Sequence, residues 1–231
     1  MESRFYWDAD RIAFFRDAAE YGDFFRLLAE RIAPAIRPED RVLDAGCGLG
    51  YLSEALLPYC KTVTAVDRDE RAIAELVRRT AGKEGIVPMA ADVHMIPLPF
   101  DVIVCCRFGS TEESLAMFDR SEAETLVLIK RSDPAHRISG SPVLHTRTAK
   151  DAVRILKEQE RCFSSSAVSL SFDQPFRSES DALRFFRAYR VEPEKTDEQR
   201  DLRRLTETND PQFPLVLPVR HELTVFLIRK G

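Results

Sequence analysis

The chain has 231 residues, of which 44% are hydrophobic and 31% charged, a balance that excludes intrinsic disorder as a description of the whole. At this length a single domain buries enough surface to need neither disulfides nor a structural metal. Its 34 Lys and Arg are interleaved with 38 Asp and Glu, leaving a net charge of -4 and no basic stripe of the kind that neutralises a nucleic-acid backbone.

The cysteines Cys47, Cys60, Cys105, Cys106 and Cys162 are odd in number and lack CxxC spacing. They read as reduced thiols rather than zinc ligands or a disulfide framework. No apolar run reaches the roughly 20 residues that span a bilayer, and Met1-Glu2-Ser3-Arg4 is too polar to open a signal peptide. A cytoplasmic protein without membrane contact is expected.

Residues 5–33 carry apolar side chains at helical spacing, with Ile12, Phe15 and Ala19 in one stretch and Phe24, Leu27, Leu28 and Ile32 in the next. Asp8 is the expected N-cap, Tyr21-Gly22 the break, and Pro34 and Pro38 the stop. The period then changes. Strands are expected at Arg41 to Leu43, Thr62 to Val66, Ile86 to Met89, Val102 to Cys105 and Thr125 to Ile129. Helices through Leu52 and Leu56 and through Ile73, Leu76 and Val77 fall between them. Such alternation predicts a parallel sheet with helices on both faces. Further along, Thr148 caps an expected helix to about Glu160, and Ala167 to Phe172 alternates as a strand does. Helices are expected at Asp181 to Tyr189, capped by Ser180, and at Asp197 to Leu205, capped by Thr196. Glu222 to Ile228 closes as a strand.

The informative segment is Val42-Leu43-Asp44-Ala45-Gly46-Cys47-Gly48-Leu49-Gly50, between a strand and a helix. Glycines at alternate positions let the backbone turn tightly and approach a ligand with no Cβ in the way, as a cradle for an anion or polar tail requires. Seventeen residues after Gly50, the second strand ends in Asp67, where a carboxylate can accept bonds from both hydroxyls of a ribose. Together they point to a nucleoside cofactor.

Asp44-Ala45-Gly46-Cys47-Gly48-Leu49-Gly50, followed by Ala65-Val66-Asp67, resembles the first two motifs of the class I S-adenosylmethionine-dependent methyltransferases. Asp92 in Ala90-Ala91-Asp92-Val93-His94 and the stretch Pro97 to Val104 extend the likeness, which covers about Asp40 to Lys130. A dehydrogenase fingerprint would place its third Gly at position 51, which is Tyr51 here. The alternatives left are a non-catalytic cofactor-binding partner subunit and, further off, an NAD-dependent oxidoreductase.

The resemblance implies a Rossmann-like, mostly parallel sheet of seven strands in the order 3-2-1-4-5-7-6, with the last strand antiparallel. It also implies a single domain over 1–231, with a helical cap at 1–38, a cofactor-binding core at 39–132 and a lid-like insertion at 174–220. By the same resemblance, Asp44 and the backbone of Gly46, Cys47, Gly48 and Gly50 hold the methionine end of S-adenosylmethionine. Asp67, with Arg68 beside it, takes the ribose; Asp92 takes the adenine amine and Val93 the adenine ring. Backbone near Cys105 and Cys106 faces the methionine amino group, and Tyr6, Trp7 and Arg11 come near its carboxylate, which suits a guanidinium.

Where base- or amide-directed methyltransferases resemble Asn/Asp-Pro-Pro-Tyr, this chain has Cys105-Cys106-Arg107-Phe108, which disfavours those acceptors. Where metal-dependent relatives carry an Asp-Asn pair, it has Lys130-Arg131-Ser132, so no catalytic metal is expected. His136, after the fifth strand, is the best-placed candidate base, although positioning alone can supply an effective molarity of roughly 10⁵ M. The expected acceptor is a small molecule, with Arg107, Arg137 or Arg187 as candidates to pair with a carboxylate or phosphate on it.

Overall fold

A computed structural model describes residues 6–132, 148–189 and 197–230. The expected base His136 and the expected acceptor residue Arg137 lie outside the described residues. Two helices open the chain, α1 (Ala9–Tyr21) and α2 (Phe24–Ile32). Asp8 caps α1 as expected, its carboxylate accepting the Arg11 N–H at 2.7 Å. There follow β1 (Arg41–Ala45), α3 (Tyr51–Leu56), β2 (Thr62–Asp67), α4 (Glu70–Arg79), β3 (Ile86–Ala90), β4 (Val102–Cys106), α5 (Thr111–Asp119) and β5 (Thr125–Arg131). After these come α6 (Ala149–Glu158), β6 (Phe163–Ser171), β7 (Gln174–Phe176), α7 (Glu179–Tyr189), α8 (Glu198–Leu202), β8 (Thr206–Glu207), β9 (Leu215–Leu217) and β10 (Arg220–Arg229).

Seven strands form one sheet in the order β3-β2-β1-β4-β5-β10-β6, with β10 antiparallel to both its neighbours. This is the expected order. The central strands are buried on both faces, which is why they read as continuous apolar runs. On one face Val42, Val104 and Val127 pack with Phe24, Leu28 and Leu56; on the other, Leu43, Ile103 and Leu128 pack with Phe118 and Ile155. Between β3 and β4 the chain makes only a 3₁₀ turn, Val93–Met95, and Val87, Met89 and Met95 stay exposed.

Several local expectations change. Helix α5 was not anticipated, although Ser110 and Glu113 form a reciprocal capping box at its start. Helix α7 begins at Glu179, and Ser178 rather than Ser180 accepts the Asp181 N–H. Helix α8 is capped by Asp197 and stops at Leu202, while Thr196 lies outside the described residues. The segment expected to be an insertion contains a second small sheet, β7-β9-β8. It closes on α1 through Phe14, which meets Phe176 and Phe185 edge-on with centroids 6.3 and 5.2 Å apart.

Candidate cofactor site

The loop from β1 to α3 is pinned at its start, where the N–H groups of Gly46 and Cys47 both donate to the Val66 carbonyl of β2, at 2.8 and 3.0 Å. Gly46 and Gly48 adopt left-handed backbone, with φ of +70° and +54°. Their bare Cα positions are covered by aromatic rings. A Cβ on Gly46 would lie 2.0 Å from the Phe108 ring, and one on Gly48 would lie 3.1 Å from Trp7. Arg79 of α4 supports the loop from behind, donating to the Leu49 carbonyl at 2.9 Å and to Glu54 at 2.7 Å.

Two carboxylates border this loop. Asp44 ends in the interior, 1% exposed, and accepts the Ser53 hydroxyl at 2.6 Å. Burial pushes its carboxyl up to about 6, against the pull of the Ser53 bond and with the help of the Asp67 charge. Asp67 is half-buried at the end of β2, where one oxygen accepts the Gly48 N–H and the other the Asp69 N–H, both at 2.9 Å. Asp69 in turn accepts the Trp7 N–H at 3.1 Å, which carries the N-terminal segment onto the loop. Between the two acids, burial raises the Cys47 thiol well above its ordinary range.

The remaining expected contacts lie at the ends of β3 and β4, with β2 and β1 between them in the sheet. Asp92 is exposed and accepts the His94 N–H at 2.9 Å, which places the buried Val93 at the start of the 3₁₀ turn. Cys105 is wholly buried, its side chain on the α5 and α6 side, where desolvation pushes its thiol to about 12. Arg107 follows with φ of +55° and donates its N–H to the Ile129 carbonyl at 2.9 Å. The Phe108 ring lies over Gly46 and also stacks on His94, with centroids 6.3 Å apart. Lys130 is 1% exposed and points its Nζ at the carbonyls of Phe108 and Gly109, 3.3 and 2.9 Å away.

Arg11 is engaged elsewhere, paired with Asp8, bonded to the Ala188 carbonyl at 2.5 Å and stacked 4.4 Å over Tyr6, at the junction of α1 with α7. It is Trp7, between Tyr6 and Arg11 in sequence, that touches the loop. Arg68 is exposed. Arg187 is on the solvated side of α7, bonded to Glu198 at 2.5 Å. Residues the sequence did not single out are Ser53, Phe108 and Lys130; the position of Phe108 two residues after the end of β4 is the one signal that could have found it. Among the described residues, no group of three or more His, Cys, Asp or Glu is gathered as a metal site. No helix among them is long and apolar enough to cross a membrane.

A seven-stranded sheet in this order, with a glycine loop after β1 and an acid closing β2, is the arrangement of the class I S-adenosylmethionine-dependent methyltransferases, which the chain resembles over this core. A methyltransferase domain family matches residues 42–123. The ribosomal RNA small subunit methyltransferase A of Gloeobacter violaceus is 31% identical over 155 residues, covering 63% of this chain and 56% of that protein. Nodulation protein S of Sinorhizobium fredii is 30% identical over 115 residues, covering 49% and 52%. The chain thus spans about half the length of these curated relatives. In fold it is similar to the YcgJ protein of Bacillus subtilis, with a TM-score of 0.57 at 17% identity over 90% of this chain and 98% of that one.

Proposed function

We propose that this chain transfers the methyl group of S-adenosylmethionine to a small-molecule acceptor. The observation that carries the reading is the convergence of Asp44 and Asp67, from the ends of adjacent parallel strands, on one glycine loop. The fit to the cofactor rests on that geometry. Gly46 and Gly48 put no Cβ of their own on the loop, Asp67 keeps lone pairs beyond its two N–H bonds, and Asp44 is a carboxylate within an otherwise apolar strand end. When bound, S-adenosylmethionine supplies an electron-poor methyl group on a sulfonium.

The chain's own residues do the rest. Asp44 and the Gly46 to Gly50 backbone orient the methionine end, Asp67 the ribose, and Asp92 with Val93 the adenine. Trp7 covers the loop and keeps water from it. Holding the acceptor in line behind the methyl is enough for a large rate gain, so no dedicated base is required. The helical cap and the 174–220 insertion form the acceptor side, joined through Phe14, Phe176 and Phe185.

A small acceptor is favoured over a polynucleotide because the arginines of this region face acids. Arg11 pairs with Asp8, Arg177 with Asp17, Arg184 with Asp181 and Arg187 with Glu198. An RNA acceptor is the second reading, favoured by the relative that is named for ribosomal RNA. Calorimetry with S-adenosylhomocysteine and with NAD tests the cofactor: the first should bind and the second should not. Transfer of labelled methyl groups to acidic, neutral and basic small molecules and to total RNA tests the acceptor. Label in RNA alone would overturn the small-molecule reading.

A further inference from the structure

The ring of Phe108 is in an unusual place. It lies where the side chain of residue 46 would be, 2.0 Å from the Cβ that Gly46 lacks, so the glycine's emptiness is filled by the ring. The same ring stacks on His94 at an interplanar angle of 25°, and His94 comes directly after the expected adenine contacts Asp92 and Val93. One side chain therefore bridges the loop after β1 and the turn after β3, the two walls between which a nucleoside would be held.

The backbone that carries the ring is held in a costly shape. Arg107 before it and Gly109 after it both have φ of +55°, and for arginine that conformation is disfavoured. Lys130, buried at the end of β5, donates to the carbonyls of residues 108 and 109 and keeps the segment in place. The strain and the buried cation together fix where the Phe108 Cα stands, leaving side-chain rotation as the ring's way out.

We propose that the Phe108 ring, where it lies over Gly46, overlaps the space the cofactor would take at the loop, and that it must rotate off Gly46 before S-adenosylmethionine binds. This rests on the methyltransferase reading and adds to it a residue that sets cofactor affinity. A binding-competent state that is only a fraction of the population weakens apparent affinity by that fraction. If the ring is off Gly46 about one part in ten, removing it tightens binding about tenfold.

Trp7 supplies the readout, since it is the single tryptophan of the chain and touches the loop at Gly48. Stopped-flow fluorescence with S-adenosylhomocysteine is run on the parent chain, Phe108→Ala and Phe108→Leu, with calorimetry for affinity and circular dichroism for the fold. Phe108→Leu keeps apolar bulk in the segment should the alanine variant fold poorly. The expected result is an observed rate that levels off with ligand in the parent chain and rises linearly in the variants, with affinity several-fold to tenfold tighter. Unchanged or weaker affinity in folded variants, with binding intact in the parent, would mean the ring is a wall of the site and would overturn the proposal alone. Absence of binding in parent and variants alike would overturn the methyltransferase reading as well.

Discussion

Ser53, in the first turn of α3, donates a hydrogen bond from its hydroxyl to the carboxylate of Asp44 at 2.6 Å, and both residues are buried. A single neutral hydroxyl does not offset the burial of a negative charge, and burial accordingly pushes the Asp44 carboxyl up to about 6. An unfolded aspartate titrates near ~3.9, so between these values the folded chain binds this proton more tightly than the unfolded one. The stability that Asp44 contributes is therefore full below about pH 4 and lost as pH rises through about 6. Asp44→Asn does not titrate, and its stability relative to the parent should improve by roughly 2–3 kcal/mol between pH 4 and 7.5. Acids with the opposite slope, such as Asp101, held low by its bond to Arg41, are common to both proteins and cancel. Urea unfolding at the two pH values measures the difference; a pH-independent one would show that Asp44 stays charged throughout.

Asp67 joins three things: the Gly48 N–H, the Asp69 N–H and, through Asp69, the Trp7 segment. Asp67→Ala removes the acceptor for both N–H groups and the proposed ribose contact. A charge-assisted bond lost from a site costs about 1.5–3 kcal/mol, so S-adenosylhomocysteine should bind roughly tenfold to a hundredfold more weakly. Calorimetry decides it, and an unchanged affinity would remove Asp67 from the site.

At Gly48, φ is +54° and the Cβ position is 3.1 Å from Trp7. Valine there is strained in the left-handed region and pushes the indole away. Gly48→Val should keep the far-ultraviolet circular dichroism of the fold, shift the Trp7 emission to the red without ligand, and lose cofactor binding. Normal binding would reduce the loop to a structural turn.

The segment between β7 and α7 is tied to α1 by Arg177, which reaches the buried carboxylate of Asp17 at 2.6 Å. An exposed pair contributes about 0–1 kcal/mol, but here one partner is buried, and taking away the arginine leaves its charge uncompensated. Arg177→Met should destabilise by about 1–3 kcal/mol, and adding Asp17→Asn should recover part of that. Denaturant unfolding of both single variants and the double one measures the coupling, and strict additivity would show the pair to be inert.

How far the sequence carried this reading depends on how local each signal is. The glycine loop and Asp67 were readable because the change from helical to strand period frames them. The cap of α1 by Asp8 was readable because an acid stands just before the first apolar residues at helical spacing. Helix α5 also had a local signal, Ser110 with Glu113, but its apolar positions follow no clean stripe. The strands of the small sheet, such as Thr206–Glu207, are too short to show any period, and only their pairing in space defines them. Lys130 reads as a surface charge by type. Its burial follows from the carbonyls that β4 and the turn after it leave within its reach.

The place of β10 between β5 and β6 sets an order of assembly. During synthesis β2 to β5 each emerge with one neighbour already made, whereas β6 emerges before the one strand it pairs with and waits until residues 220–229 are made. A waiting strand with bare N–H and C=O groups invites other chains to dock on it. Its composition meets that hazard. Ser164, Ser165, Ser166, Ser169 and Ser171 make β6 the least adhesive kind of strand, exposed for most of its length even in the finished fold, and β10 arrives to a partner that has stayed well hydrated in the meantime.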